Sequence, residues 1–201
     1  MSNDRKFNTF RNSEVARNVH LDLERIEKAG HEDLSVLCRL YYSLEFAMGQ
    51  ALSDGNFNYH PNASFSVLKF VSILRLIKKS CGPSLRFLDV GCGFGGKVWI
   101  AEALGFDSMG LEINPKYARI ASECAGSDRI LCTDALNFKD YSSFDVIYFY
   151  NPMPSDELEL AIIQGAKKDA IIYHAIDLQA QPVRAFSRLS PRVLRLTDYA
   201  P

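Results

Sequence analysis

Three acidic residues each follow or close a short apolar run: Asp89 in FLDVGCGFGGKV, Glu112 in MGLEINP and Asp134 in LCTDAL. The first sits beside a glycine loop that satisfies two phosphate-binding patterns at once. Gly91, Gly93 and Gly96 spell the dinucleotide fingerprint G-x-G-x-x-G, while Gly91 through Gly96 with Lys97 spell a P-loop up to its last position. Val98 stands where the P-loop needs a hydroxyl for magnesium, and no later apolar strand ends in a Walker-type Asp, so that reading fails. The dinucleotide reading meets Asp89, two residues before the tight turn. Two phosphates would face this carboxylate, and like charges about 4 Å apart repel by about 4 kcal/mol at an effective dielectric of about 20. An acid there favours a cationic guest. Glu112 can accept hydrogen bonds from both hydroxyls of a ribose, which would also suit NAD. Asp134 can accept one from an adenine amino group.

These residues need a scaffold that lines up strand ends. From Leu85 onward short apolar runs alternate with helical stretches, the pattern of an α/β sheet covered on both faces. The apolar runs predict strands over Leu85 to Val90, Ser108 to Glu112, Arg129 to Thr133, Phe144 to Tyr150, Ala170 to His174 and Arg192 to Thr197. Helices are expected over Gly96 to Leu104, Pro115 to Ala125 and Asp156 to Lys167. Upstream, Val15, Val19, Leu23 and Ile26, then Leu34, Leu37, Tyr41, Leu44 and Met48, recur at helical spacing; a third stripe runs through Val67, Phe70, Val71, Leu74 and Ile77. The expected organisation is an N-terminal helical cap over residues 1–80 and a Rossmann-like, doubly wound, mostly parallel core over 81–201.

Residues 85–175 resemble the core of a class I S-adenosylmethionine-dependent methyltransferase. FLDVGCGFGG matches the glycine loop, GLEINP the ribose acid, TDA the adenine side, and FDVIYFYNPMP the fourth strand with its following loop. The resemblance implies S-adenosyl-L-methionine as cofactor, across the carboxyl ends of the strands. Asp89, Gly91, Gly93 and Gly95 would line its methionine part and Glu112 its ribose. Asp134 would meet the adenine, with Ile113 and Ala135 packing on the purine. Cys92 and Phe94 read as loop filler.

On the acceptor side, Tyr150 and Asn151 open the stretch YNPMP, which partly resembles the N-P-P-aromatic loop of amino-group methyltransferases. The departures are Met153 and Pro154, the latter in place of a stacking aromatic, and they argue against a nucleobase acceptor. The resemblance implies that Asn151 would also border the cofactor. His174 closes the fifth strand as a titratable group near neutral pH. Tyr59 and His60, in a polar loop, are candidates for a lid. The expected function is methyl transfer to an amine on a protein or small molecule. The rivals are a non-catalytic cofactor-binding scaffold subunit and an NAD-dependent oxidoreductase.

Composition narrows the class. In 201 residues, 47% hydrophobic content supports a substantial core, and 23 Lys plus Arg against 24 Asp plus Glu give no field toward nucleic acid. Arg184, Arg188, Arg192 and Arg195 form only a local basic cluster. Five cysteines without a C-x-x-C pair suggest neither a metal site nor a disulfide framework, and fit a reducing, cytoplasmic setting. No stretch reads as a signal peptide or a membrane span. The chain ends soon after one strand beyond His174, so a truncated sheet is expected, with edges that a partner could cover.

Overall fold

The computed structural model describes residues 67–125, 128–150, 155–174, 186–190 and 193–197. Tyr59, His60, Asn151, Met153, Pro154, Arg184 and Arg192 lie outside the described residues, as do the first two amphipathic segments. The chain divides into two compact units, Met1–Arg75 and Leu76–Pro201.

Helix α1 spans Val67–Cys81, and strand β1 (Arg86–Val90) follows. Then come α2 (Gly96–Ala103), β2 (Asp107–Glu112), α3 (Pro115–Ala125) and β3 (Ile130–Cys132). Two short 3-10 turns, Ala135–Asn137 and Tyr141–Ser143, lead to β4 (Val146–Phe149), α4 (Asp156–Gly165) and β5 (Ile171–His174). Strands β6 (Phe186–Ser190) and β7 (Val193–Leu196) complete the order. The sheet has seven strands arranged β3-β2-β1-β4-β5-β7-β6. All pairs from β3 to β5 are parallel; β7 runs antiparallel between β5 and β6.

Register explains how both faces are covered. Leu88 and Val90 pair with Met109 and Leu111 on one side, and with Ile147 and Phe149 on the other, so these residues share a face. That face carries the core cluster with Ile162, Ile163 and Ala166 of α4 and with Tyr141 and Phe144. Asp89 pairs with Gly110 and Tyr148 on the opposite face. There Val98 of α2 and Ala118 and Ala121 of α3 pack with Ile130 and Cys92. Each large apolar side chain so buried contributes roughly 1.5–3 kcal/mol. The strand ends are therefore held by the sheet core and by helices on both faces.

The expected truncation is not found: a seventh strand is present, as the β6–β7 pair. The sequence hides it because Ser187–Arg188–Leu189–Ser190 offers little apolar alternation, and Leu189 is exposed on this edge strand. Charged and polar residues on an edge strand limit edge-to-edge pairing and make it read as a loop. Among the described residues, the other expected elements match to within a few residues. The fourth strand is shorter than expected, since Phe144 belongs to the exit of a 3-10 turn and Tyr150 lies just past the strand. None of the described helices is long and apolar enough to cross a membrane, and no cluster of three or more metal-type ligands occurs among the described residues.

Candidate cofactor and active site

The chain leaves β1 in one direction through β2 and β3 and returns beside β1 as β4, so strand order reverses between β1 and β4. Crevices at the carboxyl ends beside such a reversal are where ligands bind in open α/β sheets. Every described candidate residue falls at this edge: Asp89 and the glycine loop after β1, Glu112 and Ile113 after β2, Asp134 and Ala135 after β3, Tyr150 after β4, His174 at the end of β5.

The glycine loop settles its own pattern. Gly91, Gly93 and Gly95 have φ of 75°, 57° and 77°, left-handed at every second position, whereas Gly96 is the first residue of α2. The conformational demand thus follows the D-x-G-x-G-x-G spacing. Gly91 and Cys92 N–H both donate to Leu111 O (2.9 and 2.8 Å), and Gly95 N–H donates to Cys92 O (2.9 Å). Gly95 caps α2 without a side-chain hydrogen bond. Asp89 is 1% exposed.

Glu112, only 7% exposed, ties the loop to β2. Its Oε2 accepts from Gly93 N–H (2.9 Å) and its Oε1 from Asn114 N–H (2.8 Å). A carboxylate has about four acceptor positions, so acceptor capacity remains for a ribose hydroxyl. Burial pushes the Glu112 carboxyl above its ordinary range, and the N–H groups of Asn114, Gly93 and Ile113 oppose that rise. The sign follows from linkage. The folded state holds this proton more tightly, so the associated stability is present below the free value of 4.5 and is lost as pH rises through the elevated one. Binding that needs the carboxylate runs the other way. Affinity for S-adenosylhomocysteine should fall as pH drops from about 7 to about 5, and Glu112→Gln, weaker throughout, should flatten that decline. Titrations at several pH values check it; a Glu112→Gln profile parallel to that of the unmodified chain would contradict the assignment.

Ile113 is 66% exposed despite being apolar, and Leu131 on β3 is also exposed. Asp134 Oδ1 caps the first 3-10 turn by accepting from Leu136 N–H (3.0 Å). Half-buried Ala135 is fixed by the Tyr141 hydroxyl, which donates to Ala135 O (2.8 Å). Burial, and then the charge of Asp134, push the Tyr141 hydroxyl far up, so it stays a donor. The buried Cys92 thiol is likewise raised by burial and by Asp89 and Glu112, and fills space against the sheet. Buried Phe94 meets Tyr117 edge-on with centroids 5.0 Å apart.

Tyr150 is half-buried. His174 is 2% exposed and pairs in register with Phe149, on the face opposite Asp89. Arg195, from the expected basic cluster, donates to Cys81 Sγ (2.8 Å). It lines a cavity of about 260 Å³ with Cys81, Asp145 and Asp169, at the amino-terminal edge and away from the crevice.

Sequence reasoning missed Gly110. A Cβ there would lie 2.7 Å from Cys92 Sγ and 2.9 Å from Val98 Cγ2, so the loop and α2 close on the sheet only over a glycine. The available signal was a glycine inside the apolar strand SMGLE, a mark of close backbone approach.

Residues 88–153 match the family model described as "Methyltransferase domain". A 2-methyl-6-phytyl-1,4-hydroquinone methyltransferase of Synechocystis is 30% identical over 116 residues, covering 52% of this chain and 36% of that protein. The chain thus spans about a third of the length of that curated relative. Among solved structures, YjhP of E. coli aligns with a TM-score of 0.47 and 20% identity over 59% of this chain and 51% of that one. An RNA methyltransferase of Salinibacter ruber, in complex with S-adenosyl-L-homocysteine, aligns with a TM-score of 0.44 and 17% identity over 65% and 91%.

Proposed function

We propose that this chain is a class I S-adenosylmethionine-dependent methyltransferase and that it transfers the methyl group to an amine on a protein or small molecule. The single observation that carries the reading is the set of acidic acceptors at the carboxyl edge. A buried acid stands at the end of β1, an anchored acid with spare acceptor capacity closes β2, and an exposed apolar Ile113 stands beside it.

These residues fit the cofactor chemically. Asp89 would attract the positive amino-acid end, Glu112 would accept from the ribose hydroxyls, and Ile113 and Ala135 would pack on the purine while Asp134 accepts from its amino group. When bound, the cofactor supplies a methyl carbon activated by its positive sulfur. The protein's share is alignment and exclusion of water, which can supply most of the acceleration of an in-line displacement. Tyr150 and Asn151 would accept hydrogen bonds from the incoming nitrogen and aim its lone pair. His174, buried at the end of β5, would receive a proton relayed from the acceptor.

Met153 and Pro154, which replace the second proline and the stacking aromatic of the N-P-P-aromatic pattern, rank protein side chains and metabolites above nucleic acid. The test is transfer of labelled methyl into separated peptide and metabolite pools. Label should enter one pool, and Asn151→Ala should lower kcat by a larger factor than it weakens S-adenosylhomocysteine affinity. Tight binding without transfer into any pool would favour the scaffold reading instead.

A further inference from the structure

The cavity at the amino-terminal edge of the sheet has no part in the proposed methyl transfer, and all of its lining belongs to the Leu76–Pro201 unit. Its floor is one register row: Val146 of β4 pairs with Ile171 of β5, which pairs with Arg195 of β7. Val146 and Ile171 are buried, and buried Leu85 adds a third apolar lining residue. Cys81, the last residue of α1, is exposed and borders the same space. The charged lining residues differ in how well they are matched. Asp145 is already balanced, with Oδ1 at 2.7 Å from Lys167 Nζ and Oδ2 accepting from Arg86 N–H (2.7 Å). Half-buried Arg195 donates from Nη2 to Cys81 Sγ (2.8 Å) rather than to a carboxylate, and its buried Nε–H has no acceptor among the described residues. A buried guanidinium donor left unmet is costly, which favours a guest that brings an acceptor. Asp169 is exposed, and no described cation pairs with it. One cation and one anion therefore remain beside an apolar floor.

We propose that this cavity binds a small zwitterion of the α-amino-acid type, with its carboxylate on Arg195, its ammonium toward Asp169 and an apolar side chain on Val146, Ile171 and Leu85. A guanidinium meets a carboxylate with parallel hydrogen bonds, so Nε–H gains the acceptor it lacks. A guest carrying a carboxylate alone would face Asp169 unopposed. The volume of about 260 Å³ falls below the roughly 300–1,000 Å³ of pockets for drug-sized ligands, which limits the guest to the scale of a single amino acid. Because the cavity lies away from the crevice, the assignment stands or falls apart from the cofactor reading.

The experiment follows alkylation of the full chain by iodoacetamide, with Cys81 and Cys132 quantified separately by peptide mass spectrometry. Both thiols are free and exposed, and only Cys81 lines the cavity. Rising leucine should slow modification of Cys81 along a saturating curve and leave Cys132 unchanged. Isocaproate, which lacks the ammonium, and isoamylamine, which lacks the carboxylate, should protect more weakly. Asp169→Asn keeps a residue that tolerates the left-handed backbone (φ 63°) and should raise the leucine concentration for half-protection about twofold to fivefold, as for an exposed ion pair. Arg195→Gln should raise it about tenfold to a hundredfold; should that variant fold poorly, Asp169→Asn and the unmodified chain decide. Absence of protection up to the solubility of leucine would overturn the assignment, as would equal protection by isocaproate or an unchanged curve for Asp169→Asn. Protection that saturating S-adenosylhomocysteine abolishes would put leucine in the crevice and overturn it too.

Discussion

Replacing Asp89 with Asn should weaken binding of S-adenosylmethionine by about tenfold to a hundredfold, about 1.4–2.7 kcal/mol. Asp89 is buried at 1% exposure near the carboxyl end of β1, where little water screens its charge. A cationic ligand is attracted to that carboxylate, and the neutral amide, nearly the same in size, loses the attraction. A residue that merely helped the strand to pack would instead show lower stability with affinity intact. Thermal denaturation with and without ligand, beside a titration, separates the two patterns.

Gly110→Ala should damage both stability and binding. The added Cβ would sit 2.7 and 2.8 Å from Sγ and Cβ of Cys92 and 2.9 Å from Val98 Cγ2, distances that require the loop or α2 to move. Overpacking of this kind costs typically about 1–3 kcal/mol, or about 2–10 °C in melting temperature for a chain of this size. The displaced loop also loses the alignment of Gly91 and Cys92 N–H with Leu111 O and of Gly93 N–H with Glu112. Affinity for S-adenosylhomocysteine should therefore fall further than stability alone accounts for. A variant that binds normally would show that the loop does not depend on its closeness to β2.

The parts of this protein legible in the sequence are those where one residue type answers one local demand. Glycines at 91, 93 and 95 are required by left-handed backbone, and the runs ending at Val90, Glu112 and His174 are apolar because both faces of their strands are covered. Helix α3 was legible at both ends, because Pro115 opens it and its apolar spacing runs on to Ala125. What the sequence concealed is set by partners distant along the chain. Gly110 matters because Cys92 and Val98 come down on it from another segment. The β6 strand exists because β7 pairs with it, not because Ser187 and Ser190 prefer extended backbone. Glu112 was readable as an acid at a strand end, but its second task, anchoring Gly93, appears only when the loop folds back over β2. Lys97 was visible as part of a motif, yet its place over Tyr148 depends on the crossover that brings β4 beside β1.

The central claim is that the acid closing β1 selects a cationic adenosyl ligand over a pyrophosphate. Its most direct test is a pair of titrations of the unmodified chain, one with S-adenosylmethionine and one with NAD, at equal ionic strength. The account predicts saturable binding of the first, with a stabilisation of about 2.7 kcal/mol once the ligand reaches about a hundred times its dissociation constant, and no binding of the second. Saturable binding of NAD with none of S-adenosylmethionine would contradict it.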